Sequence, residues 1–235
     1  MMNTIENISL IDLGWVLLPV IAVIAIQFKW TLEIKTNLYA LLRMLLQLLM
    51  IGYFLAYIFE SNDPWMVVLV LAVMLLVSSW IALRTVKEKR NTLYKKGLLS
   101  IFVGGGIVLM VVIIGVLDLS PWYSTRFFIP LAGMIFASSM NSVSLAAERF
   151  YTEIDRGVPY RLARNQAFQA ALIPIVNSLF AVGLVSLPGM MTGQILSGVS
   201  PFIAARYQIM VMCMIFSSSG LSAALFLYLI REKVK

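Results

Sequence analysis

Seven apolar runs constrain what this chain can become more than any other feature. They fall at about 10–28, 38–59, 65–83, 98–117, 127–147, 167–187 and 207–230. Each is close to the ~20 residues that carry a helix across a bilayer. Lipid offers backbone N–H and C=O groups no water to bond, so such runs satisfy themselves as helices. With 61% of its residues hydrophobic and 12% charged, the chain has too much apolar surface for a soluble core. The expected fold is all-α: a polytopic membrane protein of about seven transmembrane helices. No linker, low-complexity tract or fixed-period repeat divides it, so residues 1–235 are read as one transmembrane domain.

The basic residues orient the runs. Lys29 and Lys35 fall in the first loop, six between Arg84 and Lys96 in the third, four between Arg149 and Arg164 in the fifth, and three in the tail. The loops on the opposite side hold only Arg126 and Arg206. By the positive-inside rule the N-terminus faces out and the C-terminus faces the cytoplasm. An extra or missing helix would spoil this alternation. The same placement explains the net charge of +7 without nucleic acid as a partner. The first run has no preceding Lys or Arg and no small-residue cleavage site, so it is expected to stay as a helix. Trp15, Trp30, Trp65, Trp80 and Trp122 lie near run ends, as interfacial anchors do.

Several chemistries are excluded on residue type. There is no GxxxxGK[ST] phosphate loop; Gly104-Gly105-Gly106 sits in an apolar run with no Lys after it. The chain has no His and the single cysteine Cys213, which argues against a disulfide framework, a resident zinc or haem, and a catalytic constellation. Neither enzymatic activity nor a cofactor is expected. No carboxylate falls in mid-run, which counts against proton-coupled transport.

Candidate residues remain inside the runs. Arg43 is the one charge well within a run, and it lies about a turn and a half from the cytoplasmic end. It reads as a snorkelling anchor or as an inward polar contact, with Tyr39 and Gln47 on its face. In the fifth run Gly133, Ala137, Asn141, Ser144 and Glu148 share a helical face. The sixth offers Ala170, Pro174, Asn177 and Ala181 with Ser178 beside them; the seventh offers Met210, Cys213, Ser217, Gly220 and Ala224. Close packing through small residues explains most of these positions. Asn141 and Asn177 are the first candidates to line a translocation path, because a buried amide must find partners or water. Ser178, Ser217, Met190 and Met191 join them. Soft sulfur could meet a transition metal; gap-filling packing also explains a chain with 14 methionines.

Residues 170–208 are too apolar for a water-exposed loop, yet are interrupted by Pro174, Pro188, Pro201 and several glycines. Such backbone is expected as a bent helix, a Leu-Pro-Gly turn and a re-entering or surface segment, sheltered by neighbouring helices or a cavity. On the cytoplasmic side, ERFYTEIDRGVPYRLARNQ (148–166) is mixed in charge. Its first half is amphipathic, and Gly157 and Pro159 then break it. It reads as an interfacial helix on the inner leaflet or as a segment that docks on a partner, with Glu148, Arg149, Glu153, Arg156 and Gly157 as contacts.

VGLVSLPGMMTGQILSGVSP (182–201), with ALIPIVNS (171–178), YQIMVM (207–212) and PLAGMIFASSMNSVSLAAERF (130–150), resembles the signature of the FetB-type permeases, membrane subunits of a small ABC exporter family linked to iron export and metal resistance. Plant aluminium-tolerance permeases belong to the same family. The match covers most of the chain. It departs where the family has Gly-Asn and this chain has Ala137-Ser138; the loop 148–166 is also shorter than the family's, which includes a further helical stretch. The resemblance implies a multi-pass permease of the inner (plasma) membrane, paired as a homodimer with a separate ABC ATPase subunit. Its cargo is suspected to be iron in bacterial members and a nucleotide sugar in plant relatives. A non-transporting scaffold or a passive channel is the alternative of another class.

Overall fold

The computed structural model describes residue 9 and residues 12–60 and 63–231. The tail residues Lys233 and Lys235 and the first positions of the first expected run lie outside the described residues. Apolar runs become helices, and polar residues mark where they start. The chain falls into two units, 1–60 and 61–235.

The first unit is a pair of helices, α1 (Asp12–Lys29) and α2 (Ile34–Glu60). Ser9 starts α1: its Oγ accepts from the Asp12 N–H at 3.1 Å and donates to the Asp12 carboxylate at 2.6 Å. Lys29 in the last turn complements the helix dipole. The turn places Thr31 at φ 56°. Across the pair, Asn37 Nδ2 donates to Gln27 Oε1 at 3.0 Å. No described residue of α1 is buried.

The second unit contains α3 (Pro64–Ala82), a 3-10 strap (Arg84–Lys89), α4 (Arg90–Met110) with a π-helical extension (Val111–Val116), α5 (Thr125–Asp155), α6 (Tyr160–Ala181), α7 (Gly189–Leu196) and α8 (Pro201–Leu229). Asp63 caps α3 by accepting from the Trp65 N–H, and Pro64 occupies the first position, where no intrahelical donor is needed. Directions follow from the contacts. Ser138 meets Ser218 and Ser139 meets Ser222, so α5 and α8 run parallel. Gly104 lies against Ser222 and Lys96 donates to the Leu229 carbonyl, so α4 runs against α8. Ser142 meets Ala171, and Tyr160 donates to the Leu227 carbonyl at 2.9 Å, so α6 also runs the other way and traverses the bundle. The core lies between these helices and includes Ile101, Ile135, Val143, Phe150, Met214 and Phe226.

Among the described residues, six helices are long and apolar enough to cross a membrane: α1, α2, α3, α4 with its extension, α5 and α8. The chain is thus the all-α polytopic membrane protein expected. The sixth run, placed at 167–187, is instead the helix 160–181, whose first half carries Arg161, Arg164, Asn165, Gln166 and Gln169. It stops where Val182 turns extended and Gly183 takes φ +82°, a conformation that suits glycine. The turn and short α7 that follow realise the interrupted backbone expected around Leu187-Pro188-Gly189.

The segment 148–166, expected as an interfacial helix or a docking segment, is helical on both sides of Gly157 and continuous with α5 and α6. No breaker precedes Gly157, so α5 continues through its amphipathic stretch to Asp155, and α6 begins at Tyr160. Gly157, at φ +80°, makes the short turn between them.

Candidate functional site

A group of buried serines in the second unit gathers where α5 faces α8 and α6. Ser139, Ser142, Ser218, Ser219 and Ser222 are buried, and Ser138 is half-buried. Ser138 and Ser218 bring their hydroxyls to 3.0 Å. Ser222 donates to Ser139 Oγ at 3.0 Å, Ser139 donates to the Ser218 carbonyl at 3.3 Å, and Ser142 donates to the Ala171 carbonyl at 3.3 Å. Serine is small enough to let backbones approach and polar enough to bond across the gap, a combination common between membrane helices.

Glycine tightens the third side of this seam. A methyl group at Gly104 would lie 2.5 Å from Ser222 Oγ and 2.7 Å from the Ser222 backbone nitrogen; at Gly105 it would lie 3.0 Å from Ile135 Cγ2. The Gly104-Gly105 pair therefore lets α4 close onto both α5 and α8. Nearer the start of α8, Gln208 is buried on the same face as Val211 and Ser219, and its Oε1 has no hydrogen-bond partner among the described residues.

At the other end of the seam the strap 84–89 lies beside the end of α5. Between them is a cleft of about 460 Å³ lined by Thr85, Lys87, Glu88, Glu148, Thr152 and Asp155, among others. Lys89 crosses it, 3.8 Å from the Asp155 carboxylate and 4.2 Å from the Tyr151 ring centre. Glu153 is buried and holds Arg149 at 2.8 Å and Arg156 at 3.4 Å. Arg90 stacks on Trp80 at 3.4 Å and donates twice to the Trp80 carbonyl, covering the end of α3. Cations thus close two helix ends here, Arg90 at α3 and Lys96 at α8.

The path candidates take other positions. Asn141, Asn177 and Ser178 are exposed on the surface of their unit. Ser178 Oγ donates to the Pro174 carbonyl at 3.0 Å. Ser217 lines a groove between α4 and α8, and Met190 on α7 lines a second groove with Arg126 and Met210. Met191 is half-buried on α7. Of the docking candidates, Glu148 borders the cleft, Arg149, Glu153 and Arg156 form one cluster, and Gly157 follows in the turn. Arg43 is half-exposed on α2. Sequence reasoning did not single out the buried serines or the strap. The signal available was adjacency: Ser138-Ser139 and Ser217-Ser218-Ser219 stand inside otherwise apolar runs.

The chain is 37% identical to a UPF0014 membrane protein of Synechocystis sp., covering 90% of this chain and 88% of that one. It is 33% identical to the Escherichia coli protein named "Probable iron export permease protein FetB", covering 97% and 93%. It is 28% identical to "Protein ALUMINUM SENSITIVE 3" of Arabidopsis thaliana, covering 91% and 82%. The alignment with the E. coli protein runs over 249 positions, more than the 235 residues of this chain, so that relative carries residues missing here. No solved structure matches the chain. The kinship with FetB-type permeases expected from the LPGMMTG block is thereby shown. Matched in two segments, 10–160 and 159–234, which meet at the start of α6, the chain belongs to the uncharacterised protein family UPF0014.

Proposed function

We propose that this chain is the permease subunit of an ABC exporter of the inner (plasma) membrane, driven by ATP hydrolysis on a separate subunit. A metal ion leaving the cytoplasm, with iron first, is the proposed cargo; a nucleotide sugar or another small solute is the alternative cargo. The observation that carries this reading is the serine-lined seam between α5 and α8, which ends at the charged cleft of the strap and the end of α5. A seam of small hydroxyl side chains can part without exposing bulky groups, and the cleft offers a ledge through which a partner could pull on α5.

By the positive-inside rule, Arg84, Lys87, Lys89 and Arg90 support a cytoplasmic position for that cleft, with the N-terminus outside and α6 as the sixth of seven spans. Asn141 and Asn177 face outward in mid-helix, where a carboxamide in hydrocarbon needs a partner. A second copy of the chain can supply it, by matching each amide with its own symmetry mate.

A second reading rests on the turn between α5 and α6. The family match divides there, and the E. coli relative carries residues absent here. A permease that lost its coupling helix would persist as a scaffold or passive channel.

One experiment separates the two: cellular iron measured with this chain, its cognate ATPase subunit, both, or neither. The exporter reading expects lower iron only when both are present. Lower iron with the chain alone supports the channel, and no change in any arm removes iron as the cargo and leaves the scaffold or an exporter of another solute.

A further inference from the structure

We propose that the groove between α4 and α8 holds an acyl chain of one anionic phospholipid of the bilayer, whose phosphate is bound by Arg206. This site stands independently of the transport reading. The groove encloses about 530 Å³. Its walls are apolar, with Val108, Val112, Ile209 and Leu221 among them, and Arg206 is its single charged lining residue among the described residues. The α4 wall includes the point where the helix passes into its π-helical turns, a geometry that recurs at functional sites.

The dimensions suit a lipid. From Arg206 to Leu221 the continuous helix rises about 22 Å at ~1.5 Å per residue. Half of a bilayer's hydrocarbon core is about 15 Å. A guanidinium at headgroup level therefore places Leu221 just past the midplane, and the groove can follow one chain through its whole leaflet.

Charge selects the headgroup. Arg206 is exposed and, among the described residues, pairs with no carboxylate. A protein occupant would have to bring an acid to that level, whereas a phospholipid carries its phosphate there already. Guanidinium and phosphate match as a two-pronged, charge-assisted pair, and a phosphatidylglycerol headgroup leaves that phosphate its net charge, whereas the ammonium of phosphatidylethanolamine competes for it.

The arrangement recurs on the other flank of α8. There a groove of about 270 Å³, lined by Phe127, Pro130, Met134 and Met190, also contains one guanidinium, Arg126. Arg126 and Arg206 are the two basic residues that the charge count left on the basic-poor side. Each lines an apolar groove, so their departure from the charge pattern has a local cause.

The test uses the purified full chain in neutral detergent with equimolar phosphatidylglycerol and phosphatidylethanolamine. Native mass spectrometry reads the retained lipid. The single cysteine Cys213, which lines the groove, reports occupancy through its rate of maleimide labelling. The expected result is a preference of about tenfold for phosphatidylglycerol, with Cys213 labelling slowed by that lipid. Arg206→Gln should abolish both the preference and the lipid-dependent protection. Val111→Trp, at an exposed groove position, should remove the bound lipid while labelling stays independent of lipid. Equal retention of the two lipids, or a preference and protection that survive Arg206→Gln, overturns the site. So does a dimer in which Cys213 is shielded without added lipid, because a second copy then fills the groove.

Discussion

The α1–α2 pair and the α5–α8 pair are both built of apolar helices, yet they are held by different means. The first pair buries none of the described residues of α1, and its cross-helix polar bond is Asn37 to Gln27. The second pair buries serines on both helices, and α4 closes on it through Gly104 and Gly105. In lipid, burial of apolar surface draws helices together weakly, because the tails are as apolar as leucine. What remains is close approach and hydrogen bonding, and the second unit has both. The difference teaches that the apolar composition shared by the two regions decides insertion, whereas the placement of small residues decides cohesion.

The same substitution in both regions gives the sharpest break. Gly104→Leu should cost about 3 kcal/mol, because α4 must back away from the Ser222 backbone. Gly52→Leu, with nothing within 4 Å, should leave the melting temperature in detergent unchanged. Equal losses at the two sites would erase the contrast.

A smaller effect is expected at the end of α5. Glu153→Ala should cost about 1.5 kcal/mol by leaving Arg149 and Arg156 without their shared carboxylate, read as a lower thermal midpoint. Charge reversal at those arginines would disturb the same cluster. A docking measurement therefore needs Glu148→Lys at the cleft rim, where the carboxylate accepts only from Thr152 among the described residues.

The double substitution Ser139→Ala with Ser222→Ala should cost about 1 kcal/mol, since single bonds between membrane helices average about 0.6 kcal/mol. Asn37→Ala, which removes one such bond from the first unit, should cost about 0.5 kcal/mol. A double serine variant no weaker than Asn37→Ala would show that packing alone holds the seam.

Much of the fold was legible because apolar length and proline placement act locally. The spans, the break around Leu187-Pro188-Gly189 and the return into α8 all follow from them. The faces were harder. On α6 the face read from sequence was Ala170, Pro174 and Asn177, and the buried residues are Ala171 and Ile175. On α8 it was Met210, Cys213 and Ser217, and the buried ones are Val211, Met214 and Ser218. On α5 it was Asn141, and its neighbour Ser142 is buried. Each offset is one residue, about 100° around a helix. Periodicity says which residues share a face; which face a neighbour covers depends on contacts far along the chain. The continuation of α5 to Asp155 was missed for a related reason. Charge there suggested a separate interfacial helix, while Glu153 with Arg149 and Arg156 stabilises the end of α5 itself.

The serine hydroxyls have one consequence for motion. Ser138 also reaches the Ile135 carbonyl at 2.9 Å, and Ser218 the Ile215 carbonyl at 3.1 Å, each within its own helix. A hydroxyl has one proton to give, so the bond between Ser138 and Ser218 competes with acceptors that stay available when the helices separate. Breaking it strands no donor. At this contact, therefore, the two helices can part and close again without leaving a hydroxyl unpaired.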